Sequence, residues 1–242
     1  MDQQTKVALK HDQFVDTTKE GLEWASENRR AVITGAVALV VVVLLLVSSF
    51  VLYRSRQEQA SVALGAAMAE YQAPLETPGQ PVPAETKSYP TAEARAKAAN
   101  ALFVAAADKY GLTPAGRDAR YFAGITYMEA GETASAESTL QQVASSWDSD
   151  IAALAKLSLA QLYRQTGRVP QAIDLLNQLA AKPTSTVSAG LAQLQLAELY
   201  DAQGQPDQAR KVYAQLKDKD GKSAAGQLAA QKLAPATAAP QQ

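Results

Sequence analysis

Apolar residues run from Ala31 to Tyr53, AVITGAVALVVVVLLLVSSFVLY, with no charged position inside and arginines at both edges (Arg29, Arg30, Arg54, Arg56). As a helix the run would span roughly 34 Å, enough to cross a hydrocarbon core of about 30 Å with some tilt. Val and Ile are mediocre helix formers in water, but in lipid the backbone must satisfy its own hydrogen bonds, so intrinsic propensity is overruled. The pattern predicts one transmembrane helix over 31–53. It is longer than the apolar core of a signal peptide, typically about 7–15 residues, which predicts a retained anchor. Ala31, Gly35 and Ala38 share one small-residue face of it.

On either side the pattern changes. Residues 1–30 are polar and of mixed charge; Thr17 and Glu20 stand at capping-box spacing ahead of Leu22 and Trp24, which predicts a short interfacial helix. After the run, residues 54–72 keep helical spacing, with Val62, Leu64, Met68 and Tyr71 as candidate buried positions, and carry the membrane helix on into a first domain helix. Residues 73–91 hold Pro74, Pro78, Pro81, Pro83 and Pro90 and read as an extended loop. From 92 to 233 the chain reads as alanine-rich helix with few breaks, and 234–242 as a disordered tail.

Within that helical stretch one pattern recurs. Tyr127, Gly131, Ala136, Leu140 and Val143 are matched at identical internal spacing by Tyr163, Gly167, Ala172, Leu176 and Leu179, and again by Tyr200, Gly204, Ala209, Tyr213 and Leu216. A half-copy, Ala99, Phe103 and Ala106, precedes them. In each copy the tyrosine side buries one face of a first helix, and the glycine supplies the positive φ that ends it. The alanine lets a second helix approach closely, and the large residue four places on fills the space between pairs. Pro170 and Pro206 suit the start of the second helix, where a missing N–H costs nothing. The predicted fold class is all-α: a single N-terminal transmembrane helix followed by a helix-turn-helix solenoid of about three and a half repeats, closed by a helix over 223–233.

Composition narrows the function. The 242 residues carry 23 Lys and Arg against 24 Asp and Glu, a formal net charge of −1, and give no electrostatic reason to expect nucleic acid. Cys 0 and His 1 remove a thiol nucleophile, disulfides and nearly every zinc geometry, and the lone His11 lies before the anchor. Acidic residues are scattered over solvent-facing helix positions, so no tuned acid–base pair is in view. Asp148 and Asp150, between repeats, read as a helix cap rather than a metal site. No catalytic, cofactor-binding or metal-binding residue is predicted, and no cofactor.

The repeat resembles the tetratricopeptide repeat: Gly124, Tyr127, Gly131 and Ala136 match its glycine, tyrosine, glycine and alanine positions, with Leu140 at the large apolar position. The later units place Ala160 and Ala197 where that family often has glycine. The resemblance implies a non-enzymatic protein-binding module whose first helices line a concave surface. The alignment places Tyr121, Ile125, Met128, Leu157, Gln161, Arg164, Leu194, Glu198 and Asp201 on that face. This mixed, partly apolar set lacks the Asn with Lys or Arg of carboxylate-clamp members, and suits an unfolded segment or a partner helix.

The order of parts, a short polar segment with Asp12, Phe14 and Trp24, then one span, then an interrupted first repeat and about three more, resembles the YfgM-type ancillary subunits of the bacterial Sec translocon. That resemblance implies a single-pass inner-membrane protein with a cytoplasmic N-terminus and a periplasmic repeat domain. It further implies association with the SecYEG channel, a PpiD-like periplasmic chaperone and emerging secreted chains. Charge bias agrees in sense, with Lys19, Arg29 and Arg30 before the span against Arg54 and Arg56 after it. The alternative is a repeat scaffold coordinating envelope assembly or division, like the CpoB-type relatives of these repeats, although no heptad stretch is present.

Overall fold

The computed structural model describes residues 28–76 and 87–234. The expectations for the N-terminal segment, including His11 and Trp24, for the middle of the Pro-rich loop and for most of the C-terminal tail lie outside the described residues. The chain divides into two compact units, residues 1–55 and 56–242.

Helix α1 runs Arg29–Tyr71 and crosses the boundary between the units. In the first unit its apolar residues have no protein to cover them: Val37, Leu44, Leu46 and Leu52 are each more than half exposed. An 18-residue window has a mean hydropathy of 2.9 with none of it buried, so the helix is long and apolar enough to cross a membrane.

The second unit takes the end of α1 and adds α2 (Ala92–Tyr110), α3 (Pro114–Glu129), α4 (Thr133–Ala144), α5 (Ser149–Gln165), α6 (Val169–Ala181), α7 (Ala189–Ala202), α8 (Pro206–Asp220) and α9 (Ala224–Leu233). From α2 onward consecutive helices pack on one another, and α9 closes the end against α8 and α7. Side-chain caps start α2, α3, α5, α7 and α9: Thr91, Thr113, Asp148, Ser188 and Ser223 each accept from a backbone N–H in the first turn. Gly131, Gly167 and Gly204 end the first helices at φ of 76°, 75° and 68°, the left-handed region that a side chain resists.

The core follows the repeat. Ala136, Ala172 and Ala209 are fully buried, and Leu140, Leu176, Tyr213, Val143, Leu179 and Leu216 are fully or nearly so. At Gly124 the approach to a side chain is close: a Cβ there would stand 2.7 Å from Leu140 Cγ. The half-copy behaves as a full one, with Ala99, Phe103 and Ala106 buried against Ala67 of α1 and Ala119 and Ala123 of α3. Phe103 stacks on Phe122 at 5.4 Å and meets the Tyr71 ring edge-on at 6.1 Å. One buried polar side chain ties α2 to α3: Asn100 Nδ2 donates to the Ala123 carbonyl (2.9 Å) and Thr126 Oγ1 (3.0 Å).

Two local expectations need correction. Val62 is exposed; the buried face of α1 after Arg56 is Ala60, Ala63, Leu64, Ala67, Met68 and Tyr71, a helical stripe from which residue 62 points away. Pro74 to Pro90 is not wholly unpaired, because an isolated parallel bridge joins Leu75 to Tyr89. Tyr89 N donates to the Pro74 carbonyl and Glu76 N to the Tyr89 carbonyl, while Lys87 pairs with Glu70, so the loop is pinched at its base.

Candidate protein-interaction surface

In the second unit the first helices of successive pairs, α1, α3, α5 and α7, lie in order, and contacts between them build one surface. Between α1 and α3, the Tyr71 hydroxyl donates to Glu129 and its ring leans on Phe122. Burial and that acceptor push the Tyr71 hydroxyl up to about 12. Between α3 and α5, the Tyr121 hydroxyl meets Ser158 Oγ at 3.2 Å. Between α5 and α7 a small cleft is lined by Leu157, Gln161, Arg164, Leu176, Gln195 and Leu199, among others.

The nine expected surface residues divide into three kinds. Tyr121, Ile125, Met128 and Leu157 are half-buried and pack against the central core, so they serve cohesion and surface together. Gln161, Arg164 and Asp201 are exposed and Glu198 half-buried. Leu194 departs from the expectation. It is buried with Ala197, Ala209, Tyr213, Leu216 and Ala229, because α8 and α9 cover it at the end of the solenoid. The acids are also engaged: Asp201 accepts from Tyr213 at 3.0 Å, and Glu198 from Gln195 at 3.2 Å. Burial, with Asp201 behind it, raises the Tyr213 hydroxyl well above its ordinary value. The polar side chains left available around the small cleft are therefore Gln161 and Arg164.

Other polar contacts lock one pair to the next. Glu137 of α4 accepts from Tyr163 Oη (3.0 Å) and pairs with Arg168 (2.8 Å), whose guanidinium lies 4.3 Å from the Tyr163 ring centroid. Asp148 caps α5 as expected. Asp150 is not in the loop but in the first turn of α5, where its carboxylate accepts from Ser185 Oγ (2.7 Å) and Ser185 N (3.1 Å). Those bonds hold its carboxyl below the usual carboxylate range. Nearby, the loop after α6, the end of α4 and the start of α5 frame a cleft of about 720 Å³ with Trp147, Lys156 and Lys182 on its rim. Sequence reasoning passed over this cleft, since its lining residues other than Leu179 lie outside the repeated positions.

Stacked helix pairs with small residues at the crossings, glycines at the turns and a continuous first-helix surface define a helical-repeat interaction scaffold. The family described as tetratricopeptide repeat-like domain matches residues 22–238, and the chain belongs to that family. Among solved structures, the chain is similar to nearly identical TPR-like repeats from a Podosopora anserina protein described as a kinesin light chain, and to a variant form of those same repeats. Each is 18% identical at a TM-score of 0.48, covering 74% of this chain and 82% of that chain. No curated protein sequence matches.

Proposed function

We propose that the protein is a single-pass, non-enzymatic scaffold of the bacterial cytoplasmic membrane, with residues 1–30 in the cytoplasm, 31–53 in the bilayer and the repeats in the periplasm. The first-helix surface receives segments of other proteins, and the ancillary translocon role is the form this takes: SecYEG as the neighbour in the membrane, a PpiD-like chaperone and emerging secreted chains at the repeats. The observation that supports the reading is the pairing of an uncovered apolar span, long enough to cross a membrane, with a tetratricopeptide repeat-like domain. Tyr121, Ile125, Met128 and Leu157 offer apolar contact, and Gln161 and Arg164 offer hydrogen bonds to an extended backbone.

The test is site-specific photocrosslinking in cells. A photoreactive residue at Arg164 captures a secreted chain or a chaperone, whereas one at exposed Gln208 of α8 does not. Equal labelling at both positions defeats the surface assignment. Purification in mild detergent separates the translocon role from an envelope or division role by the proteins recovered. Protease access in spheroplasts reads the orientation.

A further inference from the structure

Each first helix after α1, and the closing helix, is preceded by a residue immediately before its cap: Leu112 before Thr113, Trp147 before Asp148, Val187 before Ser188 and Lys222 before Ser223. An apolar residue at this place ordinarily folds back onto the first turn as a hydrophobic staple. Val187 does so, fully buried in one cluster with Ala192. Leu112 and Trp147 do not. At 87% and 82% exposure they are the most exposed large apolar side chains among the described residues of the second unit.

Both lie on one edge of that unit. Leu112 follows the end of α2, and Tyr110, two residues earlier, packs with Ala60 and donates to Gln59 of α1. Trp147 is brought to the same edge by Arg117, in the first turn of α3, whose guanidinium sits 4.8 Å from the indole centroid and 3.5 Å from Asp148. This is also where the chain enters the second unit, at Arg56. From Tyr53 to Gln59 is six residues, roughly 20 Å of chain even at full extension. That length of chain permits the edge to meet the surface that Tyr53 occupies. Along the edge the series runs Leu112, Trp147, buried Val187, Lys222, so exposed apolar character is confined to the two loops nearest the entry point.

Resting on the anchor reading above, we infer that this edge docks on the lipid surface, with Leu112 and Trp147 entering the headgroup layer. Trp is favoured at that depth because its ring is apolar and its N–H remains hydrogen-bonded. Arg117 is paired with Asp148 and Arg120 with Asp108, while Lys156 and Lys182 line the same cleft as Trp147; the two apolar side chains keep the contact in high salt.

The full chain carrying Trp24→Phe leaves Trp147 as the only tryptophan. It is reconstituted into phosphatidylcholine–phosphatidylglycerol vesicles with and without brominated acyl chains, and vesicle flotation and Trp147 emission are read together. The expected result is flotation with loss of the larger part of the emission in brominated vesicles, unchanged by salt. In a second variant, Leu112→Glu added, flotation and helical circular dichroism stay the same while the quenching falls. Flotation with Trp147 unquenched by lipid and open to acrylamide overturns the docking while the anchor stands. Flotation with Trp147 shielded from both quenchers overturns it in favour of a protein contact at the edge. Absence of flotation removes the anchor reading and the docking with it.

Discussion

Glycine carries two separate burdens in this chain, and substitution by alanine tells them apart. Gly131, Gly167 and Gly204 have open space around the missing side chain but positive φ, so Gly131→Ala costs about 1–2 kcal/mol through the backbone alone. Gly124 is helical, and there alanine gains about 1 kcal/mol of helix propensity but drives a Cβ into fully buried Leu140, which costs about 1–3 kcal/mol. Gly124→Ala is thus expected to lower stability modestly, and Leu140→Ala, which removes both clashing carbons, to cost less in the Gly124→Ala chain than in the parent, whereas no side-chain change rescues Gly131→Ala. Thermal unfolding of the detergent-solubilised protein followed by circular dichroism reads both. Tyr, Gly, Ala and Leu at fixed spacing were legible in the sequence because the same turn and the same helix crossing recur in each copy. Asn100 was not legible, since its partners Ala123 and Thr126 lie on another helix and nothing in its neighbourhood advertises them.

At the scale of elements, polar clamps add to the apolar core that runs through the junctions between repeats. Asp150 anchors the loop after α6 through Ser185, and its folded-state pKa lies below the unfolded value. The stabilisation it gives is therefore present in full above the unfolded carboxyl pKa of about 3.9 and is lost as pH falls through the folded value. The unfolding midpoint of Asp150→Asn is expected to lie below that of the parent protein at neutral pH, and the gap to close as the medium is acidified below pH of about 4. A gap that stays constant with pH would show that the carboxylate charge is irrelevant. A second motif went unread in the sequence. Gly111 to Gly116 and Gly221 to Gly226 share the form Gly-x-Ser/Thr-x-x-Gly; a Cβ at Gly116 or Gly226 would fall about 2 Å from the carbonyl oxygen of Tyr110 or Asp220. Comparing loops as well as helices would have found it.

For the whole molecule, the division into two units carries its own expectation. A chain beginning at Arg56 keeps the helicity and unfolding midpoint of the second unit and no longer floats with vesicles, since the apolar run is gone. A chain beginning at Ala73 behaves differently. Removing Ala67, Met68 and Tyr71 uncovers Phe103, a loss comparable to truncating a buried aromatic, roughly 3–5 kcal/mol. Denaturant midpoints of the two fragments decide this, and equal stability would mean that the end of α1 is dispensable to the repeats.

By itself the sequence determined the all-α class, the apolar span and the register of the repeats, because hydrophobic run length, helical period and glycine placement are local properties fixed by backbone geometry and water. The tertiary structure decided which side chains remain available. It buried Leu194 beneath the closing helices, committed Asp201 to Tyr213, turned Val62 outward, and left Leu112 and Trp147 uncovered where Val187 is tucked in. Those outcomes depend on neighbours distant in the chain, whose packing no local pattern encodes.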